Sequence, residues 1–193
     1  KTMLSERYHE ADASSQRPFR RLPVDSIARA GYVIETEEDV SYYAPDADAL
    51  LSSAFAQQHC FGTTSSDEGL GLTFKPRNER PGVKEIDGTF WFDRATLELR
   101  RIEYRYTNVP PFFRTARIGG ELVFTRMTNG AWLISRWEVR MPQGQIQSRL
   151  ALQHSQVRGQ QQVTVESVRV SGGKALYVVV AGEKVPLPTD SRR

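Results

Sequence analysis

The sequence predicts an α+β domain that is mostly β: a strongly curved, half-barrel-like antiparallel meander of about 7–9 strands with one main helix. Three observations predict it. From residue 70 onward, apolar and polar residues alternate at period two, the signature of strands with one buried face. Short turn signals separate these runs, the strongest being Asn129-Gly130. Gly88, Gly119 and Gly120 fall inside strand-like runs, where glycine marks a bend.

The elements follow in order. Residues 31–35 and 40–44 are short strand-like runs around the acidic turn 36–39 and fit a hairpin. Pro45-Asp46 then opens the main helix, with Asp46 or Asp48 as cap and Leu50, Leu51, Ala54 and Phe55 on one apolar face. This helix is expected to end near 58–60, and 62–69 reads as a small polar loop. Leu70, Leu72 and Phe74 share one face of the next strand, and 76–81 is a charged loop. Ile86, Gly88, Phe90 and Phe92 face one way, with Asp87, Thr89, Trp91 and Asp93 opposite. After the turn 93–96, the strand 97–107 sets Ile102, Tyr104 and Tyr106 against Arg101, Glu103 and Arg105. Strands at 118–127 and 131–141 flank the Asn-Gly turn. Further strands are expected at 146–157, 162–170 and 174–180, with turns at 171–173 and 181–183.

Length and composition bound the rest. At 193 residues and 39% hydrophobic, the chain makes one packed domain, expected at 22–185, with an extended N-terminal arm at 1–21 and a tail at 186–193. A net charge of +3 argues for no particular anionic partner. Scattered basic residues and no recognition motif argue against nucleic acid. The single cysteine, Cys60, excludes an internal disulfide framework. The longest apolar run, 175–181, is far below the ~20 residues a membrane-spanning helix needs. The chain opens on Lys1 with no signal-peptide core behind it, which fits a mature, trimmed or partial chain.

No residue set reads as catalytic. Adjacent helical residues point about 100° apart, so His59 and Cys60 do not make a nucleophile and its base. A helix terminus, with His59 meeting the last carbonyls, explains the pair better. His9, His59 and His154 lack metal-ligand spacing, and no cofactor motif occurs. Asp87, Asp93, Glu98 and Glu103, interleaved with Arg94, Arg100, Arg101 and Arg105, read as cross-strand ion pairs on a wet sheet face. Trp132 and Ile134 share one face of their strand, with Trp137, Leu133, Val139 and Met141 on the other. A strand covered on both sides, a ligand cavity or a docking face would each explain that. Pro110, Pro111, Phe112 and Phe113, flanked by Arg114 and Arg117, form an aromatic loop suited to docking or to a membrane surface. With Arg17, Phe19 and Arg20 of the arm, these are the candidate partner-binding residues.

Three stretches carry a resemblance: 43–52 with His59-Cys60-Phe61, 86–108, and 120–124 with 130–142. Together they resemble the conserved half of bacterial exported carboxypeptidase-regulatory-like-domain proteins. The hairpin 88–103, with its Gly-Thr-x-Trp-x-Asp and Leu-Arg-x-Ile-Glu runs, is also similar to that of LolA/LolB-like lipoprotein carriers, which are half-open barrels. The first resemblance implies export to the periplasm. The expected role is a non-catalytic accessory or scaffolding subunit. It would sit peripherally on the periplasmic face of a membrane protein complex, bound to other protein subunits. A photosynthetic reaction-centre and antenna complex is one candidate. The alternative is a periplasmic lipid or lipoprotein carrier with an apolar cavity lined by Phe90, Phe92, Ile102 and Tyr104.

Overall fold

The computed structural model describes residues 21–36, 40–67, 69–109, 118–147, 162–180 and 182–187. Its centre is a seven-stranded antiparallel sheet in strict chain order. The strands are β3 (His59–Ser66), β4 (Gly69–Pro76), β5 (Ile86–Phe92), β6 (Leu99–Tyr106), β7 (Gly119–Arg126), β8 (Trp132–Gln147) and β9 (Gln162–Lys174). The sheet is an open, curved meander, as the two-residue periodicity predicts. Its outer strands β3 and β9 pair with β4 and β8 respectively and not with each other. Two small hairpins stand apart: β1 (Val33–Glu35) with β2 (Val40–Tyr42), and β10 (Tyr177–Val180) with β11 (Glu183–Pro186).

Three short helices replace the single helix expected. α1 (Val24–Ala30) lies where no helix was expected, and the stretch after Asp46 divides into α2 (Ala47–Leu50) and α3 (Ser53–Gln58). The break has a local cause. Ser52 is extended (φ −73°, ψ 149°), and its hydroxyl accepts from the Phe55 amide at 3.0 Å, starting a second helix. Asp46 caps α2 in the same way through the Ala49 amide at 2.9 Å. The axis therefore turns, and Leu51 leaves the apolar face for solvent.

One face of the sheet holds the core. Phe74, Ile86, Ile102, Tyr104, Tyr106, Leu122 and Val139 pack there against Ile27, Tyr32, Val33, Ala44, Ala49, Leu50 and Phe55 from the N-terminal segment. The alternation expected for β6 holds: Ile102, Tyr104 and Tyr106 are buried between outward Arg101, Glu103 and Arg105. Val168 and Val170, opposite Pro142 and Arg140 on β8, are buried outside this core cluster.

Glycines facing aromatic rings curve the sheet. Gly88 lies between Phe74 and Tyr104, Gly120 opposite Tyr104's strand position, and Gly173 opposite Trp137. A Cβ on Gly120 would enter the Tyr104 ring and the Glu138 carbonyl, and one on Gly173 would lie 2.6 Å from the Trp137 indole nitrogen. Each ring lies over the missing side chain of its neighbour, so the strands bend around it. This corrects the expected turn at 171–173. Gly172 and Gly173 are interior to β9, and glycine there serves close approach.

Two other boundaries differ. The stretch 62–66, read as loop, is strand paired with β4 from Gly62↔Thr73 to Ser66↔Gly69. Its Gly-Thr-Thr-Ser-Ser run is polar because it lies on an edge strand, and polar alternation leaves no apolar signal. Pro186, assigned to the tail, is the last residue of β11. The Asn-Gly hairpin is present, but only Gly130 takes positive φ (85°). Met127 and Ala131 close the loop over Thr128, Asn129 and Gly130, the connection expected between these strands.

Candidate interaction surface

The sheet's outward face is a charged ladder. Arg105 of β6 grips Asp87 of β5 with two bonds, 2.9 and 3.1 Å. The Trp91 indole donates to Glu103 at 3.0 Å, and Arg101 lies 5.5 Å above the Trp91 ring. Arg136 reaches Glu121 at 3.2 Å, and Arg140 pairs with Glu138. At the β5–β6 turn, Asp93 accepts from the amides of Ala95 and Thr96. The Thr96 bond, then the Ala95 bond, holds its carboxyl below the usual range. The expected ion pairing on a wet face is thus what these carboxylates do. Each of these carboxylates is matched to a cation, an indole N–H or a backbone amide.

Beneath the helices lies a buried polar seam. His59 caps α3, its Nδ1 2.9 Å from the Phe55 carbonyl oxygen and its Nε2 3.3 Å from that of Ile86. Its ring stacks on Phe55 at 4.0 Å. His59 shares the core face with its partner Pro76, while Cys60 pairs with Lys75 on the other face. The two side chains therefore diverge, though as neighbours on a strand and not, as expected, about 100° apart on a helix. Glu85 is buried and ion-paired with Arg80, which also donates to the Ala28 carbonyl at 2.6 Å. Gln58 donates to the same carbonyl at 3.2 Å. These bonds fasten α1 and α3 to the loop before β5. Tyr32, Tyr104 and Tyr106 are buried here, and burial pushes their phenols well above the ordinary range. Tyr42, half-buried, is pushed up to about 12, again by burial first. Tyr106 donates to the Tyr43 carbonyl at 3.0 Å, tying the β1–β2 region down. The cavity in this seam, between α1, α3, Arg80 and Glu85, measures about 10 Å³.

The helices cover only one end of the core-side face. At the other end, marked by the β3–β4, β5–β6 and β7–β8 turns, apolar side chains stay open. Leu70 and Trp132 are exposed there, with Leu72, Phe92 and Ile134 half-buried; Phe61 is also exposed but lies at the helix end, paired with Phe74 and 6.2 Å from the Phe55 ring. Two bulges put several of them on this face. Between Trp91 and Phe92 the register shifts, so that Leu99 pairs with Phe92 while Ile102 pairs with Phe90. Between Val123 and Phe124 it shifts again, so that Ile134 pairs with Phe124 and Trp137 with Leu122. The extra residue, Ser135, resets the alternation. Trp132, Ile134, Trp137, Val139 and Met141 therefore share the core-side face. This corrects the expectation of large apolar groups on both faces. Leu133 alone of that set stays on the charged face. A second apolar surface is the β10–β11 hairpin, where Leu176, Tyr177, Val179 and Val180 are exposed.

The sequence-predicted partner residues Arg17, Phe19, Arg20, Pro110, Pro111, Phe112, Phe113, Arg114 and Arg117 all lie outside the described residues. So do most of the N-terminal arm, the end of the tail and most of the strand expected at 146–157. The sequence reading missed the open end because Ser135 carries no mark of a bulge. Among the described residues no helix is long and apolar enough to cross a membrane. No protein-family model, curated protein or solved structure matches the chain.

Proposed function

We propose that this protein is a non-catalytic accessory subunit that docks onto other protein subunits. Following the motif resemblance, its place is the periplasmic face of a membrane complex. The observation that carries the reading is the open apolar end of the core-side face, with Trp132 and Leu70 at its surface. Exposed aromatic and aliphatic groups on one rigid sheet are what protein interfaces bury, with Trp prominent at their energetic centres. The charged outer face supports the same reading, since Asp87–Arg105, Glu121–Arg136 and Glu138–Arg140 pair with one another across it.

The carrier alternative draws less support. Of its four cavity residues, Ile102 and Tyr104 are packed into solid core, and Phe90 packs against that core. The cavity under the helices, about 10 Å³, has no room for an acyl chain.

The test is native mass after extraction from the source cells in mild detergent, with bound chains identified. Migration in a large complex at fixed stoichiometry, lost in Trp132→Asp with the fold intact, supports the proposal. Migration without any foreign chain sinks it.

A further inference from the structure

We infer that two copies of this chain join through β10, forming a continuous four-stranded sheet β11–β10–β10–β11 about a twofold axis at Val178. The inference is independent of the proposed docking role.

It starts from a hairpin that lacks support of its own. β10 and β11 pair only with each other among the described residues, and an isolated two-stranded hairpin is marginal in water. Its strand is nevertheless apolar on both faces. Tyr177 and Val179 are 49% and 60% exposed on one face and Val180 is 42% exposed on the other, with Leu176 just before them. Such a strand suits the middle of a sheet.

The backbone says which edge is open. Leu187 donates to the Leu176 carbonyl at 3.3 Å, in register with Tyr177↔Pro186. Hydrogen-bonded pairs alternate along an antiparallel ladder. Val178–Val185 and Val180–Glu183 are therefore the bonded pairs. Tyr177 and Val179 turn their N–H and C=O groups away from β11. The far edge is defended: β11 ends in Pro186, which has no N–H, and carries Glu183 and Lys184. The free edge of β10 carries no charge and no proline.

That edge complements itself. A twofold axis normal to the sheet lays one β10 antiparallel to the other with Val178 opposite its own copy. Tyr177 then faces Val179 of the second copy on both sides of the axis. These two pairs exchange four backbone hydrogen bonds, which satisfies all the outward groups. Leu176 falls opposite Val180. Each of the four exposed apolar residues gains an apolar cross-strand neighbour, aromatic beside β-branched, and no like charges meet. One self-complementary patch repeated by a twofold is the commonest way soluble chains assemble. A contact this small predicts association in the micromolar range.

Sedimentation of the pure full-length chain tests the inference. At roughly 100 µM a mass near twice 21.9 kDa is expected, falling to the monomer on dilution. Val179→Pro removes an outward N–H and no hairpin bond, so it should leave a monomer with an unchanged circular dichroism spectrum. In a Cys60→Ala background, Val178→Cys places two thiols opposite each other across the axis. Mild oxidation should then crosslink two chains, while a cysteine at Glu183, far from the axis, should not. A wild type that stays monomeric, with no crosslink at position 178, overturns the inference. So does a dimer that survives Val179→Pro, since it would use another surface. A monomer that loses a partner of different sequence on Val179→Pro also overturns it, and assigns the edge to that partner's strand.

Discussion

Gly173 gives the sharpest test of how the sheet is bent. Its φ lies outside the left-handed region, so an alanine is conformationally acceptable there. What opposes it is one ring: the added Cβ would lie 2.6, 3.1 and 3.4 Å from Nε1, Cε2 and Cζ2 of Trp137. Gly173→Ala should therefore cost about 2 kcal/mol by overpacking. Trp137→Leu removes the obstacle. In that background the same Gly→Ala change should gain about 0.5 kcal/mol, since alanine loses less backbone freedom than glycine within a strand. The difference, −0.5 minus 2, is a coupling of about −2.5 kcal/mol between the two positions, well beyond ordinary scatter. Urea unfolding of the four proteins, followed by far-ultraviolet circular dichroism, measures it. Additivity within about 0.5 kcal/mol would refute the idea that Trp137 occupies the place of a side chain at 173.

Gly120→Ala should behave differently, because the Glu138 carbonyl as well as Tyr104 opposes its Cβ. A loss of about 3 kcal/mol that trimming Tyr104 does not recover is expected in the same assay. Arg80→Met leaves the buried Glu85 carboxylate without its cation. With Arg80 itself a third exposed, the cost should be about 2 kcal/mol, partly recovered by adding Glu85→Gln. Ser52→Ala removes the α3 cap and should cost about 1 kcal/mol in thermal unfolding, whereas Ser52→Asp should retain most of the stability. Alkaline titration checks the tyrosines. Tyr32, Tyr42, Tyr104 and Tyr106 hold their protons more tightly folded than unfolded, so their contribution is whole below about pH 10 and lost as pH rises above it. Tyrosinate absorbance from these residues should rise together with loss of the fold; four phenols ionising near pH 10 with the fold intact would contradict their burial.

The meander was legible because period-two alternation is a direct imprint of a half-buried sheet. Ile102, Tyr104 and Tyr106 between charged neighbours leave little else for β6 to be. Gly88 and Gly120 also declared themselves, since glycine within a strand has few other uses. Three features were hidden. α1 is seven residues long, and with only Ile27 buried it shows no period. β3 is polar because half of it is an exposed edge. The break between α2 and α3 depends on one serine hydroxyl competing with the continuing helix, a local choice that an apolar period does not report. At the candidate surface the limit was parity. A single inserted residue, Ser135, moves Trp132 and Ile134 across the sheet relative to Trp137, and no local preference reports it.

That parity change links the shape of the sheet to the proposed role. Were Ser135 not taken up as a bulge, regular alternation of this sequence would point Trp132 and Ile134 to the charged face with Arg136, and the sheet would present two mixed faces. With it, Trp132, Ile134, Trp137, Val139 and Met141 all turn toward one side, and Leu133 alone of the set stays on the other. The helices are too short to cover all of them: α2 and α3 together offer Ala49, Leu50 and Phe55 as buried residues and end where β3 begins. A sheet that needed only stability would leave Trp132 on the wet face, replace it with a polar residue, or extend a helix over it. Bulges that collect apolar residues at an uncovered end lower the stability of the free chain and favour whatever covers that end. Replacing Trp132 and Leu70 with lysine should therefore leave the isolated domain as stable as before or more so, while abolishing its docking; a loss of several kcal/mol would instead make the open end part of the core.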